Sequence, residues 1–230
     1  MKRFSTAILA LAFFLAPFAA AEALAKPAPK PAAVKPAKIP ALVVPGKPGL
    51  LPDMTLGNPN APVTVVEYAS AACPHCADWN TENWAAFEAK YIATGKVRYV
   101  FREVLTSPQQ YALSAFLIGR CAVAHSKTPT DSTPYFTVVK AFFAGQANYF
   151  QTQQIGTVMA DVTAKTGMTT ADMQACVADE TTFSAFMTTM RTNMEADGVS
   201  STPTFIVNGV NLGRKHEMVD LDAAITAASK

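Results

Sequence analysis

The tetrapeptide Cys73-Pro74-His75-Cys76 constrains this chain more than any other feature. It follows directly on the apolar, β-branched run Val63–Ala69 and directly precedes a helix-like stretch from Ala77 to Lys90. A strand therefore ends, and a helix begins, at two cysteines one helical turn apart. At such a junction the pair reads as a redox couple rather than a structural staple. A helix N-terminus presents unpaired N–H groups and a partial positive charge, and both favour a thiolate on Cys73. Pro74 suits the first helical turn, where its missing N–H would be unpaired anyway. His75 is expected to add a donor or a positive charge beside the sulfur. Bringing a thiol pKa from about 8.5 to about 4.5 takes ~5.4 kcal/mol. A helix terminus supplies ~0.3–1 kcal/mol and at most ~2. Direct contacts to the sulfur must therefore provide most of the rest. The other readings of the motif are a static disulfide or two ligands of a zinc site. Zinc takes four ligands, and the sequence contains no second C-x-x-C and no H-x3-H.

The pattern around the motif predicts an interrupted α/β unit. Gly57–Pro62 is a turn cluster leading into a strand at 63–69. A helix follows from about Cys73 to Tyr91, and Trp79, Trp84 and Phe87 mark its packed face. Val97–Val104 alternates as a second strand, which makes a β-α-β unit with parallel strands and a right-handed crossover. Residues 108–197 are helical almost throughout, in five segments at 111–118, 135–144, 152–165, 169–178 and 183–196. Strands return at Pro203–Val207 and Val210–Leu212, joined by Asn208-Gly209, a type I′ hairpin signal. Asp220–Ala228 forms a last helix.

The N-terminal region is read as a targeting segment and a spacer. Lys2 and Arg3, the apolar run Ala7–Ala16 and small residues with A-x-A sites at 19–21 and 23–25 predict a signal peptide over residues 1–25. An uncleaved anchor is the other reading, although the run is short for a span. Residues 26–54 are rich in Pro, Ala and Lys and predict an extended linker. It either lifts the domain off a surface or is a solvated tail. The folded domain is expected over 55–230, within one well-packed unit for a chain of 230 residues that is 50% hydrophobic. A formal charge of only +2 and no basic face argue against nucleic acid. Export allows disulfides to persist, so the remaining two cysteines, Cys121 and Cys176, are expected to pair, the other reading being two buried thiols.

This order of elements, with Cys73-Pro74-His75-Cys76, Glu67 on the preceding strand and Val199-Ser200-Ser201-Thr202-Pro203-Thr204-Phe205, closely resembles the DsbA family of periplasmic thiol–disulfide oxidoreductases. The resemblance covers most of residues 55–230 and implies a thioredoxin-like fold with an inserted helical subdomain. It implies that Cys73 is the nucleophile and the more exposed thiol, and Cys76 the buried resolving thiol. Thr202-Pro203 would be the family's cis-proline loop, offering backbone groups to an extended substrate strand. Threonine at 202 is shared with isomerase relatives, whereas the best-known strong oxidants carry valine. For Glu67 two readings stand: a buried acid beneath Cys76 that moves protons, or a strand-end glutamate facing water.

The implied activity is that of an exported oxidase, without cofactor and monomeric. It would pass the Cys73–Cys76 disulfide to newly exported cysteine-containing proteins and be reoxidised by a quinone-linked membrane partner resembling DsbB. The alternatives are a disulfide isomerase or reductase of the same superfamily, and a metal- or peptide-binding periplasmic protein. Met187, Met190 and Met194 recur at helical spacing and read as a core stripe rather than a copper site. His125 and His216 lie near predicted helix ends, where dipole compensation accounts for them.

Overall fold

A computed structural model describes residues 49–230. The predicted signal peptide and nearly all of the predicted linker lie outside the described residues. Five strands form one sheet: β1 (Met54–Leu56), β2 (Val63–Ala69), β3 (Val97–Glu103), β4 (Thr204–Val207) and β5 (Val210–Asn211). Their order in the sheet is β1-β3-β2-β4-β5, and only β2 and β3 run parallel. The crossover between those two carries helix α1 (Pro74–Phe87), whose last turn widens into a π-turn at Glu88–Ile92. The helical insert contains α2 (Gln109–His125), α3 (Thr133–Thr152), α4 (Gly156–Thr166), α5 (Thr170–Val177) and α6 (Glu180–Asp197), and α7 (Met218–Ala228) follows the last strand.

Local chemistry explains the boundaries. Asn208 and Gly209 both adopt positive φ, at 44° and 84°, as a type I′ turn requires. Thr169 and Asp172 form a reciprocal capping box at the start of α5. Helices α2 and α3 run well beyond the predicted segments. In the sequence, Gly119-Arg120 interrupts the apolar run of α2, but both residues are there for packing. A Cβ on Gly119 would come within 2.8 Å of the Tyr135 ring, so glycine allows α2 and α3 their close approach. Arg120 is buried and binds Glu103 of β3 through two 2.7 Å hydrogen bonds, while its third nitrogen donates to the Pro52 carbonyl at 2.9 Å.

The packed chain reaches further back than Thr55. Leu51 and Met54, which the sequence pattern leaves in the linker, are buried, and Met54 pairs with Phe101 across β1 and β3. The three residues of β1 are too few to show a period. The insert is tied to itself by Cys121 on α2 and Cys176 on α5, which are disulfide-bonded with their Cα atoms 6.0 Å apart. Among the described residues, no helix is long and apolar enough to cross a membrane.

Candidate active site

Strand β2 ends at Ala69, and the chain turns through Ser70-Ala71-Ala72 into α1. Ser70 organises that turn. Its carbonyl accepts the Cys73 N–H at 3.0 Å, and its hydroxyl oxygen accepts the N–H groups of Ala72 and Thr106 and the Thr106 hydroxyl. Gln146 reaches in from α3. Its side-chain amide donates to the carbonyls of Ala71 at 2.7 Å and Cys73 at 3.1 Å. Cys73 is thereby fixed as the N-cap of α1 with Pro74 at the first helical position, and no side chain caps the helix. The open N–H groups of that first turn are left to the sulfur.

Both thiols are free in this structure; Cys76 is buried, and Cys73, the more exposed of the two, is itself largely enclosed. Cys73 is 6% exposed and Cys76 0%. Cys73 Sγ lies 3.5 Å from the Thr202 carbonyl oxygen, to which the thiol donates. The Thr202–Pro203 peptide bond is cis, Pro203 is buried and Thr202 is partly exposed. The Cys73 pKa is lowered to about 5. The hydrogen bond from the Cys76 thiol contributes most; burial opposes it; the Thr202 side chain and the backbone N–H groups of Cys76 and His75 add to it. Burial and the neighbouring Cys73 sulfur push the Cys76 thiol up. His75 therefore acts through its backbone, and its ring points to solvent as an exposed residue. The donor that His75 offers the sulfur is thus its backbone N–H at the helix terminus.

Glu67 is buried, 2% exposed, in the middle of the sheet, with Phe101 on one side and Phe205 on the other. Tyr99 donates its hydroxyl to the Glu67 carboxyl. Burial pushes the Glu67 pKa up to about 8, against the pull of the Tyr99 hydrogen bond, and the Cys73 charge raises it further. The field of Glu67 in turn raises Cys76. A carboxyl that keeps its proton near neutrality thus faces the inner thiol. Trp79 and Trp84 pack instead of binding: Trp79 lies against Phe205 with ring centroids 4.8 Å apart, and Trp84 against Tyr99 at 4.9 Å.

The structure brings together Cys73, Pro74, Cys76, Glu67, Thr202 and Pro203. It places Cys121 and Cys176 away from them, in the insert. Ser70, Tyr99 and Gln146 are site residues that sequence reasoning misses. Only Tyr99 carried a readable signal, since it shares the inward-facing alternation of its strand. Among the described residues, no three His, Cys, Asp or Glu side chains are grouped to hold a metal ion.

A family model described as Thioredoxin matches residues 50–227, which takes in the sheet, the cysteine pair and the whole insert. The chain belongs to the thioredoxin family. A Rickettsia bellii protein, provisionally named a protein-disulfide oxidoreductase, is 27% identical over 176 residues, 76% of this chain. The chain spans 64% of that relative's length. The crystal structure of Wolbachia pipientis alpha-DsbA1 superposes with a TM-score of 0.66 at 23% identity, covering 82% of this chain and 93% of that one. A protein-disulfide isomerase from Novosphingobium aromaticivorans gives 0.61 at 22% identity, covering 77% and 97%. The fold is that of the DsbA proteins.

Proposed function

We propose that this protein is a thiol–disulfide oxidoreductase of the DsbA type, acting as an oxidase on cysteine-containing proteins exported to the periplasm. The observation that carries the reading is the contrast between the two sulfurs: Cys73 at a helix N-cap with its pKa near 5, and Cys76 buried beneath it with its pKa raised. A client thiolate attacks Cys73 Sγ of the oxidised pair, the Cys73–Cys76 bond breaks, and a mixed disulfide forms on Cys73. The electron pair goes to Cys76, which takes a proton from Glu67. A second client thiolate then attacks its own half of the mixed disulfide. The client leaves oxidised, and Cys73 departs as the stable thiolate. Two electrons have passed from client to protein. Because a stabilised thiolate favours the reduced protein, the oxidised form gives up its disulfide readily.

Thr202 and the cis-proline loop would hold the client strand against Cys73, Cys121–Cys176 would brace the insert, and a quinone-linked membrane partner resembling DsbB would restore the disulfide. Export by the N-terminal segment and a monomeric state complete this reading. A second reading, isomerase or reductase, rests on the identity of residue 202: threonine there is shared with isomerase relatives, whereas the best-known strong oxidants carry valine. Two measurements test the proposal. Thiolate absorbance of the reduced protein should titrate near pH 5, and an alkaline midpoint like that of a free thiol overturns it. Equilibration with glutathione then decides direction, an oxidase holding its cysteines reduced at redox ratios that leave an ordinary dithiol oxidised.

A further inference from the structure

Helix α6 carries an open groove of about 740 Å³ along one face, floored by Met187, Met190 and Met194 and closed at its ends by Phe183 and Val199. Phe183 is 40% exposed, a large apolar side chain left open among the described residues. Exposed apolar grooves mark interaction sites, and methionine-lined ones adapt to their occupant. The sequence pattern reads these methionines as a core stripe, whereas the structure leaves them half-buried at the surface.

We propose that the occupant is the chain's own segment Ile39-Pro40-Ala41-Leu42-Val43-Val44-Pro45, lying along α6. Three observations carry this. The first is continuity. The described chain begins at Gly49, in a shallow cleft that Ser184 and Thr188 share with the methionine groove. The Leu51 N–H then donates to the Thr189 hydroxyl at 2.8 Å, so the chain enters the domain already laid on α6. The second is reach. Phe183 to Gly198 covers about 22 Å of helix at ~1.5 Å per residue. Ten residues, the number from 39 to 48, would reach about 31 Å at the ~3.1 Å per residue of an extended proline-type helix. The third is chemistry. This segment is the apolar part of an otherwise Pro-, Ala- and Lys-rich stretch, and lysines bracket it. Lys47 would stand near Glu180 at the entry, and Lys38 near the exposed Glu195 at the far end.

A tethered segment meets the groove at an effective concentration in the millimolar range, so a free partner must compete with it. The far end of the groove, Val199-Ser200, adjoins the loop that sets Thr202 against Cys73. The seated segment therefore borders the client strand's approach without touching either sulfur.

The test uses the chain isolated with its own N-terminus and a benzophenone amino acid in place of Leu42. Benzophenone captures methionine readily, and circular dichroism of the substituted protein checks that the domain is folded. Irradiation of a mixture of heavy- and light-isotope protein should give cross-links to Met187, Met190 or Met194 within one chain. Cross-links that avoid α6 overturn the proposal, as do cross-links that join heavy to light chains only and so assign the groove to a second copy. A Leu42→Asp/Val43→Asp variant should speed peroxide oxidation of the three methionines several-fold, and an unchanged rate also overturns the proposal.

Discussion

Cys73 and Glu67 reverse the usual order of acidity, with a thiol near 5 and a carboxyl near 8 in one site. The sign of each matters for stability. The Cys73 pKa is depressed from 9.0 to about 5, so its contribution to the reduced fold is full above pH 9 and vanishes as pH falls to 5. The Glu67 pKa is raised from 4.5 to about 8, so its contribution is present below 4.5 and is lost as pH rises through 8. Glu67 is common to both redox states, whereas the Cys73 thiolate exists only in the reduced one. The denaturation midpoint of the reduced protein minus that of the oxidised protein should therefore climb between pH 5 and 9. A difference that stays flat across that range contradicts the thiolate assignment. Glu67→Gln should slow client oxidation roughly tenfold at neutral pH, below the ~10²–10⁴ of general acid catalysis because a thiolate leaves partly on its own. It should also remove the decline in rate centred near pH 8, which stopped-flow mixing with a reduced dicysteine peptide would detect.

Between elements, the decisive contact is the one from α3 to the active-site turn. Removing the Gln146 amide takes the side-chain donor from the enclosed Ala71 carbonyl, at about 1–3 kcal/mol when unsatisfied, and leaves the Cys73 carbonyl with the Ala77 N–H alone. Gln146→Leu should lower stability by ~2 kcal/mol in urea titration and also move the Cys73 thiolate midpoint upward, because the turn that aims the N–H groups at the sulfur is loosened. A residue that only supported the insert would leave that midpoint in place. This contact also shows what a sequence can and cannot disclose. Strand β2, the cysteine pair, α1, β3 and the Asn208-Gly209 hairpin were legible because their periods and turn residues are local. Gln146 donates across 75 residues and Tyr99 across 32; alternation along β3 turns Tyr99 inward, but nothing local marks the partner of either. Glu67 stayed open between buried and exposed until its neighbours in the sheet were known. For His75 the sequence names a side chain, while the backbone N–H that reaches the sulfur depends on where the helix begins.

At the scale of the molecule, Arg120 binds three parts of the fold at once: its own helix α2, Glu103 of the sheet and the Pro52 carbonyl where the chain enters. Breaking one side of a buried ion pair costs about 3–5 kcal/mol, whereas replacing both by apolar groups is often neutral. Arg120→Ala should therefore unfold the domain well below its normal melting temperature, and the double replacement Arg120→Met/Glu103→Leu should recover most of the loss in calorimetry. The same clasp carries a consequence for how visitors are received. Sheet and insert cannot hinge apart without stranding a guanidinium from its carboxylate, so the rim around the reacting sulfur holds its shape. Fitting is then left to the guest, and pliant, still-unfolded chains make better guests than finished ones.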